Sequence, residues 1–515
     1  MSFQVFSLVR PPSFVCGLVA WVCCSATQAC TVSGVWEQNG GAGGACCEPG
    51  AHPGGSTGVS AGAAGSGAAG AAGAAGAAGA AGAAGEAPPL DATIAVNLTQ
   101  RFQTLAGFGA SLAWYGDWLT AHPNRAHIYD LVFRELGLDI LRLRNVYRGE
   151  AGDFDPTAAA LVAAATASLE HPPRLLLSSW SPPAALKANQ STDCAGEATC
   201  TLARSDGAFV YAAFADYWLD SLRAYAAIGV SPDWISIQNE PDFVPPSWEG
   251  CRFDPTEGEY PSYATALAAV RARLRDTPHE RVGLLGPEVI SLQGGRLRSY
   301  VESSPPEALD VLAHHLYDGN GWMLPDNYIT PMRDAARLLP DKPTFQTEFS
   351  VTNGAGAFET AWLIHNSLVE QGVAAYFHWA LIWNADDGLV SLDDPATRDA
   401  WRDESGYAVR DTYYSVQHFA RFTDPGDVRV GADSGAPALK VSAFISARAD
   451  RLTLTALNTG KQTYRVHLAD PGLSHGTAKV YRTSETDHFA SLGVLAPGET
   501  FDMPPRSIAT LVVSD

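Results

Sequence analysis

Short apolar segments alternate with helical patterns along most of the chain, and this alternation limits what the chain can fold into. Between the segments, apolar residues recur at helical spacing, as in Tyr263, Leu267, Val270 and Leu274. Repeated strand–helix units over about 320 residues predict an α/β fold of the (β/α)8 barrel type. An open doubly wound sheet is the alternative, but no Gly-x-Gly-x-x-Gly motif follows the first segment. The eight predicted strands are 106–111, 139–144, 174–180, 234–240, 281–288, 311–317, 344–350 and 374–382.

The pattern changes after residue 424, where short strand-like segments are separated by Gly, Pro and Asp turns. This pattern predicts a C-terminal antiparallel β-sandwich over 424–515, beside a catalytic barrel over 90–423. Residues 91–98 also alternate like a strand and precede the barrel, so we expect them to join the β-sandwich. The predicted strands of this domain are 428–430, 438–444, 451–458, 463–468, 478–483 and 507–513.

The first 29 residues have the pattern of a signal peptide. Arg10 is the only charge before the apolar stretch 14–24, and small residues follow at 27–29. The stretch is too short to span a membrane. Cys30 follows the expected cleavage point, but the residues before it match an acylation signal poorly. We therefore expect a secreted or cell-surface protein.

Residues 30–89 predict a disordered tether, because Gly-Ala-Ala repeats fill much of the segment and a flexible linker is the simplest structure for them.

Cysteine usage agrees with export. Cleavage after residue 29 would leave six of the nine cysteines, an even number that suits disulfide formation outside the cytosol. Cys194 and Cys200 lie in one polar loop and are candidates for a local disulfide. Cys251 has no obvious partner.

The net charge of the chain disfavours two classes of binding partner. The formal net charge is −21, from 34 basic and 55 acidic residues, which disfavours nucleic acid and anionic membrane surfaces. No segment is long and apolar enough for a transmembrane helix. The 13 tryptophans suit a polysaccharide ligand, because aromatic faces pack on the C–H faces of sugars. We expect a monomer without a cofactor.

Two glutamates, Glu240 and Glu348, lie at or near the C-terminal ends of the fourth and seventh predicted strands. Period-two alternation places Ser236, Gln238 and Glu240 on one side of the fourth strand, and Thr344, Gln346 and Glu348 on one side of the seventh, opposite Phe345. The polar sides are expected to face the barrel axis. Barrel enzymes carry their active sites at the C-terminal strand ends, and glycoside hydrolysis needs a pair of carboxyl groups.

These motifs resemble glycoside hydrolase family 30 over about residues 91–515, and most closely its bacterial xylanase branch. The motifs that carry the resemblance are Gly107-Phe-Gly-Ala-Ser111, Ile140-Leu-Arg142, Ser179-Trp-Ser-Pro-Pro183, Ile237-Gln-Asn-Glu-Pro-Asp242, His314-His-Leu-Tyr317 and Thr347-Glu348.

The resemblance implies a retaining β-glycosidase with Glu240 as acid/base and Glu348 as nucleophile. It implies that Asn239 binds the sugar 2-hydroxyl, and that Arg142 and Tyr317 hold Glu348 ionised and oriented. Adjacent His314 and His315 point in opposite directions on a strand, so no metal is predicted. The candidates for walls that stack on sugar rings are Trp114, Trp180 and Trp379.

The predicted activity is an endo-β-1,4-xylanase acting on plant cell-wall glycan. Related enzymes that require a glucuronate side chain use an arginine after the eighth strand, where this chain has none in Trp379-Ala-Leu-Ile-Trp-Asn-Ala-Asp-Asp387. The acidic residues there would repel a uronate, which favours a plainer xylanase. The alternatives are a β-1,6-glucanase or galactanase, a glucosylceramidase-like hydrolase and, from another class, a non-catalytic carbohydrate-binding protein.

Deleting residues 31–89 should leave the specific activity within about twofold of the full chain, because a flexible tether contributes no contact to the barrel. Initial rates on one polysaccharide substrate, measured for both forms at equal concentration, check this. A large loss of activity would contradict the tether hypothesis.

Overall fold

Eight parallel strands close into a barrel, each strand beside its neighbours in chain order, and the last pairs with the first. The predicted (β/α)8 barrel is therefore confirmed. Runs such as Leu175-Leu-Leu177 are apolar at every position because side chains fill the inside of the barrel and helices cover its outside. The barrel strands are Gly107–Ser111, Ile140–Arg144, Arg174–Ser178, Trp234–Ser236, Gly283–Val289, Val311–His315, Thr344–Glu348 and Ala375–His378.

The computed structural model describes residues 88–149, 157–169, 171–318, 321–351, 356–384, 388–402, 405–470 and 477–514. The predicted signal peptide, nearly all of the predicted tether, Cys30 and residues 385–387 after the eighth barrel strand lie outside these ranges. Within them, no helix combines the length and the apolar character that crossing a membrane requires.

Helices follow most of the barrel strands. The helix Tyr263–Leu274 starts after Ser262, whose hydroxyl accepts a hydrogen bond from the Thr265 amide at 3.1 Å. Its predicted apolar stripe is buried against the barrel. The α-helices are Gly116–Ala121, Arg125–Tyr129, Thr157–Leu169, Tyr211–Ala227, Tyr263–Leu274, Arg296–Ser303, Ile329–Ala335, Ala357–Asn366 and Asp411–Ala420, with π-helical turns at Asp130–Glu135 and Ser367–Gln371.

An apolar floor fills the N-terminal part of the barrel interior. Trp234 of the fourth strand and Phe345 of the seventh meet edge to face at 5.2 Å between ring centroids, and these strands are not neighbours, so both rings lie inside the barrel. The polar side chains of the interior therefore lie above this floor, toward the C-terminal strand ends. The floor consists of Ile140, Leu176, Trp234, Leu285, Val311, Ala313, Phe345, Ala374, Ala375 and Phe377.

The predicted alternation on the seventh strand is wrong, because Phe345 faces the interior and not the helices. A register shift against the sixth strand occurs between Gln346 and Glu348. Such an irregularity re-aims the following side chain, which explains how Phe345 and Glu348 both face inward. The fifth strand has a similar shift between Pro287 and Val289.

The fourth strand also differs from the prediction. It ends at Ser236, so Glu240 lies four residues beyond it. Glu240 has a φ of 44°, a left-handed conformation that breaks the period-two pattern. Ile235 and Ile237 alternate with the polar residues of this segment, and both pack in the core beneath the helices.

A second, nine-stranded sheet encloses its own apolar core. Its first strand, Leu90–Thr104, precedes the barrel; residues 90–94 pair in parallel with Tyr464–Leu468, and residues 95–104 pair antiparallel with Val428–Asp433. The remaining pairs are antiparallel, as the sequence predicts. The other strands are Leu439–Ile445, Arg451–Asn458, Ala478–Thr483, Ala490–Leu495, Thr500–Met503 and Ile508–Ser514.

The barrel and this sheet are joined through the helix Asp411–Ala420. Both ring nitrogens of its buried His418 lie 2.8 Å from hydroxyls of the sheet, those of Thr510 and Thr483. Burial lowers the pKa of His418 to about 3, so the ring is neutral and can donate through one nitrogen and accept through the other.

Short sheets and one disulfide complete the structure. Cys194 and Cys200 form the predicted local disulfide, and Cys251 is a free, buried thiol. The short strands are Ile382–Asn384, Val390–Leu392 and Tyr407–Val409, and the hairpin Arg204–Ser205 with Ala208–Phe209.

Candidate active site

The two glutamates predicted from the sequence meet above the barrel floor. Glu348 is the last residue of the seventh strand, and Glu240 follows the fourth. One carboxylate oxygen of each lies within 4.8 Å of the other. Both side chains are largely buried, with 11% of Glu240 and 7% of Glu348 exposed. The pair can therefore act on one bound group from two directions.

Backbone hydrogen bonds fix the position of Glu240 although it lies beyond its strand. The Asn239 amide donates to the carbonyl of Ser179 at 2.7 Å, and the Glu240 amide donates to the carbonyl of Glu288 at 3.1 Å. The segment is thus tied to the third strand's end on one side and to the fifth strand on the other. This attachment replaces the strand pairing that stops at Ser236.

Arg142, from the second strand, is completely buried beneath the glutamates. Its guanidinium donates to Glu348, to Oδ1 of Asn239 at 2.6 Å, and pairs with Glu288 at 3.2 Å. The guanidinium also lies 4.6 Å from the centroid of the Trp180 ring. A buried arginine requires such partners, because an unpaired charge away from water is very costly. The structure thus brings Arg142, Asn239 and Glu348 together.

His315, the last residue of the sixth strand, links the carboxyl groups. Its Nδ1 lies 3.0 Å from Oε1 of Glu240 and 4.0 Å from Glu348, and its Nε2 lies 3.8 Å from Glu288. Burial acts to lower the pKa of His315, but the charge of Glu348, the hydrogen bond with Glu240 and the nearby carboxylate of Glu288 raise it to about 9. His315 is therefore a buried cation at neutral pH, and it donates to Glu240.

Glu240 holds its proton near neutral pH. Burial raises its pKa, the hydrogen bond from His315 lowers it, and the charge of Glu348 raises it, with a net value of about 7. The local charges explain this value, since Arg142 and His315 balance two carboxylates. If Glu240 also lost its proton, the cluster would carry a third negative charge that no cation balances.

Glu288 was not predicted from the sequence. Its carboxyl is fully buried between Arg142 and His315; burial acts to raise its pKa, but these two cations lower it to about 2. Glu288 and His315 each lie at the C-terminal end of a barrel strand. Their position at C-terminal strand ends, the same signal that marks Glu348, is visible in the sequence of the fifth and sixth strands.

The sixth-strand histidines separate as predicted. His314 points away from the interior, where its Nε2 lies 3.1 Å from Oε1 of Gln371, while His315 points inward. Glu240, His315 and Glu348 form the one group in the described ranges whose atoms could converge on a metal ion. A charged histidine has no lone pair to offer, so the protonation of His315 opposes metal binding. The absence of a metal stays a prediction.

Aromatic side chains line the same end of the barrel. The rings of Trp114, Trp180 and Trp379 lie 5.0 to 5.7 Å apart between centroids, so the structure brings together the three predicted tryptophans. Trp383, which the sequence argument missed, lies 5.3 Å from Trp379. Burial together with the charges of Glu348 and Glu240 raises the pKa of Tyr317 well above its usual range.

Known proteins are similar to this chain in sequence and in fold. No family model matches the chain. The glucuronoxylanase XynC of Bacillus subtilis (strain 168) is 24% identical over 445 residues, which cover 82% of this chain and 92% of that protein.

Two solved structures align with 82% of this chain and with their whole length. They are a conserved exported protein of Bacteroides fragilis, with a TM-score of 0.68 at 15% identity, and the glycoside hydrolase family 30 subfamily 8 xylanase Xyn30A of Clostridium acetobutylicum, with a TM-score of 0.63 at 21% identity. These similarities confirm the resemblance that the motifs indicate: the chain is a glycoside hydrolase similar to family 30 and to the xylanases within it.

Proposed function

We propose that the chain is an exported, retaining endo-β-1,4-xylanase in which Glu240 is the acid/base and Glu348 the nucleophile. The observation that carries this proposal is the approach of the two carboxylates to within 4.8 Å. Retaining glycosidases place these groups about 5–5.5 Å apart, whereas inverting enzymes need about 6.5–9.5 Å to admit a water molecule.

Glu348 has the surroundings that a nucleophile needs. Buried Arg142 donates to its carboxylate, which favours the ionised form and fixes its direction. Tyr317, whose pKa the charge of Glu348 helps to raise, is proposed to assist in orienting that carboxylate. In the first step an oxygen of Glu348 forms a bond to the anomeric carbon while the bond to the leaving oxygen breaks. Glu240 delivers its proton to that leaving oxygen.

The pKa of Glu240 suits both steps. At about 7 it is raised partly by the charge of Glu348, so Glu240 is protonated when the glycosidic bond must break. Once Glu348 is esterified, its negative charge disappears and the pKa of Glu240 falls. Glu240 then removes a proton from the water that releases the sugar.

Asn239 is proposed to bind the sugar 2-hydroxyl. Arg142 donates to its Oδ1, which fixes the orientation of the amide and leaves the amide nitrogen as the donor toward the sugar. Trp114, Trp180 and Trp379 are proposed as the surfaces on which the ring packs. Their mutual contacts hold the indoles in place.

Xylan is the proposed polysaccharide because similarity in sequence leads to a glucuronoxylanase and similarity in fold includes a family 30 xylanase. Residues 379–387, directly after the eighth strand, include two aspartates and no arginine. We therefore propose that cleavage does not depend on a glucuronate side chain. Polysaccharides do not cross membranes, which agrees with the predicted export signal.

Among glucuronoxylan, unsubstituted xylan, arabinoxylan, β-1,6-glucan and β-1,6-galactan, we expect the highest kcat/KM on xylans, with unsubstituted xylan and glucuronoxylan within about tenfold of each other. Analysis of the products released from each glycan checks both expectations. Activity on β-1,6-glucan alone would overturn the choice of substrate, and no product from any glycan would favour a binding protein.

Glu348→Ala should lower kcat by about four orders of magnitude or more, because the covalent step is lost. Added azide should restore part of the turnover and give a glycosyl azide of inverted anomeric configuration, which NMR of the product identifies. A variant that retains activity, or azide rescue that yields no adduct, would contradict the role of Glu348.

Glu240→Gln should lower kcat/KM on xylan by about 100- to 10,000-fold, because no proton reaches the leaving oxygen. The first step on an aryl glycoside with a good leaving group should be much less affected, as measured by the pre-steady-state burst. Equal losses on both substrates would argue against the acid/base role.

His315→Gln should shift the alkaline limb of the kcat/KM profile to higher pH. For the wild type this limb should fall through about pH 7, because the first step needs protonated Glu240. The hydrogen bond and charge of His315 lower the pKa of Glu240, so their removal raises it. His314→Gln, on the same strand but pointing outward, is the matched control and should leave the limb in place. An unchanged limb in His315→Gln would refute the coupling.

A further inference from the structure

Trp248 is an exposed tryptophan on the loop that follows Glu240. Its side chain is 45% exposed, and it lies near the C-terminal end of the fourth barrel strand, the end that carries the candidate site. Single exposed apolar side chains are common on proteins, so it is the position of Trp248, on a loop that leaves the end of the barrel with the candidate site, that suggests a ligand. The exposed large apolar side chains of the described ranges are Leu90, Phe102, Trp248, Met323, Leu324 and Val494.

The loop that carries Trp248 is fixed on both sides. The Cys194 amide donates to the Trp248 carbonyl at 3.0 Å, and Cys194 is itself held by its disulfide with Cys200. Two residues further on, the carbonyl of Gly250 accepts from the buried Lys187 Nζ at 2.6 Å. The indole is thus presented by a preorganised backbone, which lowers the entropy lost when a ligand binds.

Charged side chains connect this loop with the tryptophan wall of the site. Glu249 pairs with Arg148 at 2.8 Å and with Arg144 at 3.4 Å. The guanidinium of Arg144 lies 4.5 Å from the centroid of the Trp114 ring. All three charged side chains are partly exposed, between 16% and 24%, so they can also bond a ligand hydroxyl.

Phe243 connects the loop with Glu240. The Phe243 amide donates to the carbonyl of Glu240 at 3.1 Å, and its half-buried ring lies 6.2 Å from that of Trp248 between centroids. Trp248 is therefore linked to the acid/base candidate through Phe243. Through the neighbouring Glu249 and Arg144 its loop is also linked to Trp114. These residues offer apolar ring faces bordered by hydrogen-bonding groups.

We propose that Trp248, supported by Phe243 and by the Arg144–Glu249–Arg148 group, forms an outer sugar site that binds a further ring of the polysaccharide. The C–H face of the ring packs on the indole, and its hydroxyls bond the flanking charged groups. The identity of the sugar as xylose rests on the proposed function. The site makes the enzyme prefer long chains over short ones.

Binding in the Glu348→Ala background tests the site without turnover. Titration calorimetry is done with xylohexaose and with xylobiose. Trp248→Ala, added to this background, should weaken the affinity for xylohexaose about tenfold. The affinity for xylobiose should change much less. Trp248→Phe, which keeps an aromatic face, should recover most of the affinity.

Phe102→Ala is the matched control. Phe102 is 41% exposed on the first strand of the nine-stranded sheet, where Arg429 lies 3.6 Å from its ring centroid. Removing this aromatic surface should leave both affinities unchanged. Thermal unfolding of every variant is measured alongside, and a loss of xylohexaose affinity counts for the site only where the variant's melting temperature stays at that of the parent. If Trp248→Ala unfolds early, Trp248→Gln replaces it as the deciding variant.

The outcomes separate this site from the proposed activity. If the Trp248→Ala variant and its parent bind xylohexaose equally tightly, the outer sugar site is overturned. The proposed cleavage of xylan is unaffected by that result. If only another glycan binds, such as β-1,6-glucan, the proposed substrate fails, and weaker binding of that glycan by Trp248→Ala supports the site. If no glycan binds the Glu348→Ala parent, both proposals are overturned.

Discussion

The ion pairs of Arg142 inside the barrel are the interaction on which the site depends. Its single positive charge is shared by Glu348 and Glu288, and it also binds Asn239. Removing one partner of a buried ion pair leaves an uncompensated charge, a loss of about 3–5 kcal/mol. The side chains that would surround a sugar are therefore organised from below, by a residue that the sugar need not touch.

The charge balance around Arg142 connects this architecture with chemistry. Two buried cations, Arg142 and His315, face three carboxyl groups, those of Glu240, Glu288 and Glu348. Neutrality of the group requires one proton on a carboxyl. Glu288 lies between both cations, and Glu348 accepts from Arg142, so the proton resides on Glu240, the residue proposed to give it away. The acid is thus selected by its neighbours and not by its residue type.

The sequence predicted the barrel because apolar strands and amphipathic helices follow from burial alone. It did not predict the irregularities at the strand ends. Period-two reasoning assumes a regular strand, so it missed the early end at Ser236 and the register shift before Glu348, and it placed Phe345 on the wrong side. In the second sheet it missed Ala490–Leu495, which has no buried residue, and Thr500–Met503, which alternates but has only four residues.

The position of the first strand, Leu90–Thr104, restricts how this protein can evolve by recombination. It precedes the barrel in the chain but lies between strands that follow the barrel, pairing with Val428–Asp433 and Tyr464–Leu468. The nine-stranded sheet is therefore assembled from both sides of the barrel sequence. A recombination event that exchanged only the C-terminal segment would remove eight strands of the sheet and leave one of its internal strands behind. Recombination must therefore exchange the two domains as one unit, whereas domains joined end to end can be exchanged separately.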